Sequence, residues 1–176
     1  MSSTQDALAI LIAKDEIREL ALLYSRGVDR KDPELLRSLY TKDGMDFHGK
    51  FFQGTAKDYV DFLERSMPHM PYSGHHICNH LISVIDSETA EGEVWALAYH
   101  ELPDGKGGLL EDLQMVRYCD QYRKEDGRWK FAQRDVEFDL RRTRPASGVE
   151  LPERVVGKDA SYDILKSRLF HRGPRA

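Results

Sequence analysis

The strongest structural signal in the chain lies in residues 91–102, which read EGEVWALAYHEL. Within this stretch Val94, Ala96, Ala98 and His100 share one face, and the intervening residues share the other. Successive side chains of a β-strand point to opposite faces, so this period of two predicts a strand with one face directed towards a core. Such a strand needs partners, which the flanking sequence supplies.

Turn-forming sequences divide the chain after Pro71 into long strands. The turns fall at residues 86–88, 103–108 and 124–127, which carry Asp, Ser or Gly. These residues favour the backbone conformations of tight turns. The predicted strands span residues 72–85, 91–102, 109–122 and 128–140. Because their connections are short, they should form an antiparallel meander.

Helical periodicity dominates the chain before Pro71. Ser3 followed by Asp6 resembles a capping box. The apolar residues that then recur at steps of three or four are Ile10, Ala13, Ile17, Leu20, Ala21, Tyr24 and Val28. This stripe predicts a long first helix ending near Gly27. A helix over 33–40 capped by Asp32, a hairpin within 44–54 and a helix over 56–67 should follow.

Three helices followed by four strands predict an α+β domain, with the helices packed on one face of a curved sheet. The concave face of such a sheet forms a pocket beneath the helices. We assign residues 1–144 to this domain and residues 145–176 to an extended basic tail. The last 36 residues carry a net charge of +5. We expect this tail to dock onto a neighbouring subunit.

Charge and composition exclude several kinds of partner. Residues 1–140 carry a net charge of −9, which makes a poor surface for nucleic acid. Cys78 and Cys119 have no metal-site spacing and fit reduced thiols of the cytoplasm. The apolar run 7–13 has no basic residues before it, so it resembles neither a signal peptide nor a membrane span. We therefore expect a cytoplasmic protein without nucleic-acid or membrane partners.

Three segments resemble the SnoaL-like, scytalone dehydratase-like branch of the NTF2-like superfamily, which includes bile-acid 7α-dehydratase and hexachlorocyclohexane dehydrochlorinase. They are Ile17–Tyr24 running into Gly27-Val-Asp29, the strand opening Ser73–Asn79 and the closing segment Asp126–Phe131. The resemblance spans residues 10–140. It implies a cone-shaped barrel, no metal or organic cofactor, a homo-oligomer (trimer or dimer) and elimination chemistry.

The resemblance also implies roles for individual residues. Asp29 and His75 stand at the positions of a catalytic dyad, and Tyr24 stands at that of a tyrosine lining the pocket. We expect Tyr24 to act in catalysis as the hydrogen-bond donor to the developing oxyanion or to the leaving group. Val28 and Phe47 replace two tyrosines of scytalone dehydratase, so scytalone itself is not the expected substrate.

The residue types fit this chemistry. A neutral imidazole is basic near pH 7, since its ordinary pKa is about 6.5. A carboxylate on Nδ1–H fixes the tautomer and stabilises the imidazolium that forms. His75 and His76 are neighbours on a strand, so only one of them can enter the pocket. We expect the substrate, a small apolar cyclic molecule, to contact His100, Phe47, Phe62 and Met115.

Other interpretations stay open. Asp29 could simply end the first helix, and Tyr24 could simply pack in the core. His75, His80 and His100 could converge on a metal, although their spacing matches no tight ligand motif. The chain could isomerise rather than eliminate. It could also be a non-catalytic NTF2-like ligand-binding or structural subunit.

Overall fold

The computed structural model describes residues 3–147 and 157–175. Helices α1 (Thr4–Asp29) and α2 (Pro33–Leu39) precede strands β1 (Tyr40–His48) and β2 (Phe52–Thr55). Helix α3 (Ala56–Ser66) and a 3-10 turn (Met67–His69) follow. The long strands are β3 (Tyr72–Val84), β4 (Thr89–Pro103), β5 (Leu109–Glu125) and β6 (Arg128–Pro145). A short helix, α4 (Ala160–Ile164), and a 3-10 turn (Arg168–Phe170) complete the order.

The strands form one sheet in the order β2-β1-β6-β5-β4-β3. Only the β1–β6 pair is parallel among these strands; the others are antiparallel. Register shifts in the β3–β4 and β5–β6 pairs bend the sheet. The predicted α+β domain, with helices on a curved and mostly antiparallel sheet, is confirmed.

Helix α1 begins as the sequence predicts. The Ser3 hydroxyl accepts the Asp6 N–H at 3.1 Å, and the Asp6 carboxylate accepts the Ser3 N–H at 2.9 Å. The predicted stripe is buried from Ala13 to Val28. Ile10, the first residue of the predicted stripe, is 40% exposed. Residues 3–12 are all exposed, so the first turns of α1 extend beyond the packed layer.

Two apolar clusters enclose a space between the helices and the sheet. The larger cluster packs α1, α2 and α3 against Tyr122, Trp129 and Phe131. The smaller cluster lies on the sheet and contains Val94, Ala96, Val116, Tyr118 and Val136. Burying one large apolar side chain contributes roughly 1.5–3 kcal/mol, so these clusters fix the walls of the space firmly.

A buried ion pair lies beneath α1. The Arg134 guanidinium donates to both carboxylate oxygens of Asp120, at 2.8 and 2.7 Å, and neither side chain is exposed. Burial disfavours the charged guanidinium, but Asp120 outweighs it and holds the pKa of Arg134 well above its ordinary value. The guanidinium carbon lies 4.2 Å from the ring centroid of Tyr24. The pair therefore supports the ring of Tyr24.

The described end of the tail packs on helices of the same chain. The Arg26 guanidinium donates to the Ser161 hydroxyl and the Phe170 carbonyl, both at 3.0 Å. The Gly173 N–H donates to the Asp32 carboxylate at 2.9 Å. Residues 148–156 of the tail that was predicted to be extended lie outside the described residues, whereas residues 157–175 contain α4 and a 3-10 turn. Docking onto a neighbouring subunit of a homo-oligomer stays a prediction.

Candidate active site

A cavity of about 290 Å³ opens between α1, α3 and the concave face of the sheet. Its walls are mostly apolar and include Val28, Phe52, Leu63 and Val136. The polar side chains in its lining are Tyr24, His48, Tyr59, Ser66, His75, His100, Asp112, Gln114, Tyr118 and Arg141. An apolar cavity with a few convergent polar groups is the usual form of a small-molecule site.

Asp29 and His75 form a close pair at one side of the cavity. The His75 Nδ1–H donates to Asp29 Oδ1 at 2.7 Å, and the His75 backbone N–H donates to Oδ2 at 2.9 Å. The side chains are only 13% and 9% exposed. Because the carboxylate holds both ring and backbone, Nε2 is the nitrogen left to face the cavity. The neighbouring His76 is exposed, as strand alternation requires.

The position of Asp29 depends on the close approach of α1 and α2. Asp29 is the last residue of α1. A Cβ on Gly27 would lie 2.7 Å from Leu36, so only glycine lets the helices meet this closely. Asp29 lies behind His75 and does not line the cavity. Since five residues turn a helix by about 140°, Tyr24 can face the cavity while Asp29 acts only through His75.

Tyr24 faces the cavity from the middle of α1. Its hydroxyl lies 2.9 Å from the hydroxyl of Tyr59, and the residue is 2% exposed. Burial, reinforced by the nearby Asp46 carboxylate, raises the pKa of Tyr24 far above its ordinary value. The phenol is therefore protonated at physiological pH and can take part in hydrogen bonds as a donor.

A second Asp–His pair, which the sequence analysis missed, lies on β1. The His48 Nδ1–H donates to Asp46 Oδ1 at 2.5 Å, and the Tyr40 hydroxyl donates to Asp46 Oδ2 at 2.6 Å. His48 Nε2 lies 3.0 Å from the Tyr59 hydroxyl, and the two rings stack at 4.5 Å. The signal in the sequence was an Asp and a His two residues apart on a strand, which places both on one face.

His100 and Asp112 form a third polar group. The His100 ring lies 5.2 Å from the His75 ring and nearly perpendicular to it. Burial, and then the neighbouring His75, lowers the pKa of His100 to about 4, so this imidazole is neutral at pH 7. Burial would raise the pKa of Asp112, but hydrogen bonds from Arg141 and Gln114 outweigh it and hold that pKa below its ordinary value.

Two of the four predicted substrate contacts lie elsewhere. His100 and Phe62 line the cavity, whereas Phe47 and Met115 do not. Side-chain alternation explains both corrections. His48, the neighbour of Phe47, faces the cavity, so Phe47 points away. Gln114 and Val116 face the cavity on either side of Met115, which is 46% exposed.

The three histidines considered as metal ligands do not converge. His80 lies outside the cavity lining, and its Nε2 is 3.0 Å from the Tyr122 hydroxyl. Within residues 3–147 and 157–175, no group of three or more His, Cys, Asp or Glu side chains is arranged to hold a metal ion. In the same part of the chain, no helix is both long and apolar enough to cross a membrane.

Sequence comparison identifies a matching domain model. The model described as the SnoaL-like domain matches residues 9–135, which contain both Asp–His pairs. A search of curated proteins gave no match.

Solved structures share the fold at low sequence identity. A protein assigned as a scytalone dehydratase from Novosphingobium aromaticivorans is 22% identical, with a TM-score of 0.69 over 87% of this chain and 99% of that one. The hexachlorocyclohexane dehydrochlorinase LinA-type3 from Novosphingobium barchaimii is 19% identical, with a TM-score of 0.69 over 84% of this chain and 99% of that one. A protein assigned as an aromatic ring hydroxylase from Novosphingobium aromaticivorans is 16% identical, with a TM-score of 0.67 over 77% and 94%. These similarities establish a shared fold.

Proposed function

Because the chain belongs to the SnoaL-like family of the NTF2-like superfamily, we propose that it is a cofactor-independent lyase. It eliminates water or hydrogen halide from a small, largely apolar cyclic substrate held in the cavity. The observation that carries this proposal is the 2.7 Å contact between Asp29 and His75 beside that cavity. The names of two structural neighbours, a dehydratase and a dehydrochlorinase, both denote eliminations.

His75 acts as the general base. Its Nε2 removes the proton from the carbon next to a carbonyl or other activating group. The electron pair of that C–H bond forms the double bond as the leaving group departs. Asp29 stabilises the imidazolium through Nδ1–H, and it fixes the neutral tautomer in which Nε2 carries the lone pair. Positioned proton transfer of this kind contributes typically 10²–10⁴-fold.

The remaining acceleration comes from the walls of the cavity. Apolar side chains exclude water and so strengthen the hydrogen bonds formed inside. Arg141 lines the cavity with N–H groups, although Asp112 neutralises its charge. These donors are suited to the negative charge that develops on a carbonyl oxygen when a neighbouring proton is removed.

Kinetics on a panel of cyclic β-hydroxy and β-halo ketones test the proposal. His75→Gln and Asp29→Asn should each abolish turnover, while thermal stabilisation of the protein by the same ketones persists. His76→Gln is the matched control, since this neighbouring histidine points away from the cavity, and it should retain wild-type turnover. Full turnover by His75→Gln would remove the mechanism.

The mostly apolar lining also favours a non-catalytic function as a ligand-binding module. The same experiment separates the two functions. A binding module would be stabilised by the ketones, while the wild-type protein would convert none of them. Product analysis separates elimination from isomerisation, because an isomerase returns the abstracted proton to the same molecule and releases neither water nor halide.

A further inference from the structure

The proposed mechanism, in which His75 is the base, assigns no role to the Asp46–His48 pair. This pair lies on β1, whereas His75 lies on β3, and strands β6, β5 and β4 separate the two in the sheet. Both histidines nevertheless line the same cavity. The two pairs therefore approach a bound molecule from different sides.

The second pair continues into a chain of hydrogen-bonding groups. His48 Nε2 lies 3.0 Å from the Tyr59 hydroxyl, which lies 2.9 Å from the Tyr24 hydroxyl. His48, Tyr59 and Tyr24 all line the cavity, and Asp46 lies behind them with no exposed side-chain surface. A buried carboxylate needs partners, and here each oxygen accepts one hydrogen bond.

Whether this series of hydrogen-bonding groups can donate a proton to the cavity depends on the protonation state of His48. The series contains two contacts, His48–Tyr59 and Tyr59–Tyr24. When His48 is neutral and its Nδ1–H donates a hydrogen bond to Asp46, the two phenol hydrogens occupy those two contacts. No hydrogen is then left to donate into the cavity. When His48 is an imidazolium, Nε2–H adds a third hydrogen. One phenol O–H is then left to donate to a molecule in the cavity.

We propose that Asp46, His48, Tyr59 and Tyr24 form a proton-donating arm, and that the group expelled from the substrate is therefore a hydroxyl. The inference rests on the proposed lyase function and specifies its substrate class. A halide leaves as a stable anion and needs no proton. Hydroxide is a poor leaving group, so an elimination that expels it requires a donor opposite the base.

His75 Nε2 takes the proton from carbon, and the C–H electron pair becomes the new π bond. The C–O bond breaks, and its oxygen takes a proton from the phenol that faces it. His48 replaces that proton through Nε2–H, and the products are an alkene and water. Release of the proton from His75 to solvent and uptake of one by His48 restore the starting state.

The surroundings of the phenols fit a relay. Burial is the main cause that raises the pKa of both Tyr24 and Tyr59 above the ordinary value. Each phenol consequently gives up its proton only when a second proton replaces it at the same time. His48 is the proton source, and the tyrosines conduct the proton to the cavity. Asp46 acts through His48 and is a positioning residue.

A pair of probes that share one ring skeleton tests the inference. The probes are 3-hydroxy-1-indanone and 3-chloro-1-indanone, and both give indenone, which is followed by absorbance after subtraction of the spontaneous rate. His48→Gln and Tyr59→Phe should lower kcat for the hydroxy probe about 100-fold. Their kcat for the chloro probe should stay within about threefold of wild type. Asp46→Asn should show the same selectivity with little change in KM.

The chain supplies a matched control. His80, Tyr122 and Asp120 form a similar His–Tyr–Asp group outside the cavity lining. His80→Gln and Tyr122→Phe should leave the ratio of the two rates at the wild-type value. Thermal unfolding identifies any variant that does not fold. If another variant of the arm does not fold, His48→Gln decides the result, because His48 is partly exposed.

The outcomes separate this inference from the proposed function. If the folded variants of the arm lose kcat equally on both probes, or on neither, the donating arm is overturned. An inactive His75→Gln variant would still support His75 as the base. Selective loss on the hydroxy probe supports the arm. Wild-type turnover by His75→Gln, or no turnover of either probe by the wild-type protein, removes the lyase function and the arm with it.

Discussion

The Asp29–His75 and Asp46–His48 pairs place the same two side-chain types on one cavity, in different surroundings. Asp29 ends a helix, is 13% exposed and binds both the ring and the backbone of its histidine. Asp46 lies within a strand, is fully buried and shares its carboxylate between His48 and the Tyr40 hydroxyl.

The second ring nitrogen distinguishes the pairs further. Within residues 3–147 and 157–175, His75 Nε2 has no hydrogen-bond partner and faces the cavity. His48 Nε2 already meets the Tyr59 hydroxyl. An imidazole with a vacant nitrogen can take a proton from carbon, whereas one linked to a phenol can pass a proton on. An Asp–His pair therefore acquires its role from the group that its second ring nitrogen contacts.

The largest effect that tests this comparison concerns the chloro probe. Asp29→Asn should lower kcat for 3-chloro-1-indanone by about 10³-fold or more, because the amide cannot stabilise the imidazolium. Asp46→Asn should leave that rate within about threefold, since chloride needs no proton. Steady-state kinetics of the two variants measure both values. Comparable losses in the two variants would show that the pairs are not chemically distinct.

Asp46 should contribute more than Asp29 to the free energy of unfolding, which is the reverse of their order in the chloride elimination. Asp46→Ala leaves the buried Tyr40 hydroxyl and the His48 Nδ1–H without an acceptor, and each unsatisfied group costs about 1–3 kcal/mol. We expect a loss of about 3 kcal/mol in the free energy of unfolding for Asp46→Ala, and about 1 kcal/mol for the more exposed Asp29→Ala. Urea unfolding with a common m-value checks the ranking. A greater loss in Asp29→Ala would contradict it.

The third histidine of the cavity, His100, should make the stability of the protein depend on pH. The folded pKa of His100 is about 4, below the ordinary value of about 6.5. Between these values the unfolded chain binds the extra proton, so the free energy of unfolding falls as pH drops from about 6.5 to about 4. His100 should contribute about 3 kcal/mol to this fall.

The His100→Asn variant isolates that contribution. Its loss of stability between pH 7 and pH 4 should be smaller than that of the wild-type protein, measured by urea unfolding at each pH. His75 and Asp112, the titratable groups nearest His100, are present in both proteins. Identical pH profiles would show that His100 is protonated in the folded protein as readily as in the unfolded chain.

Local periodicity made most of the fold predictable. The stripe from Ala13 to Val28 and the alternation of residues 91–102 each reflect burial of one face, which a sequence displays directly. The Asp29–His75 pair was predictable from the family resemblance. Asp29 is the last residue of α1, and His75 lies near the start of β3. The α1–β3 contact that joins them follows from the layer arrangement.

The second pair was hidden because it depends on side-chain direction and on long-range packing. Which face of the hairpin is buried depends on register, and a shift of one residue exchanges Phe47 for His48. Tyr24 and Tyr59 are 35 residues apart and meet because α1 and α3 both pack against α2 and against the sheet. No local pattern in the sequence reports such a contact.

The smallest predicted effect tests the same question of side-chain direction in the substrate contacts. Phe62 lines the cavity and lies 6.0 Å from the Phe52 ring, whereas Met115 points to the outer face of the sheet. Phe62→Ala should raise KM for both indanones about fivefold with kcat nearly unchanged, because it removes apolar contact of roughly 1 kcal/mol made equally in the ground and transition states. Met115→Ala, which removes a similarly exposed apolar side chain, should leave KM at the wild-type value. If the two substitutions raised KM equally, the indanones would be contacting the outer face of the sheet, and neither Asp–His pair could act on them.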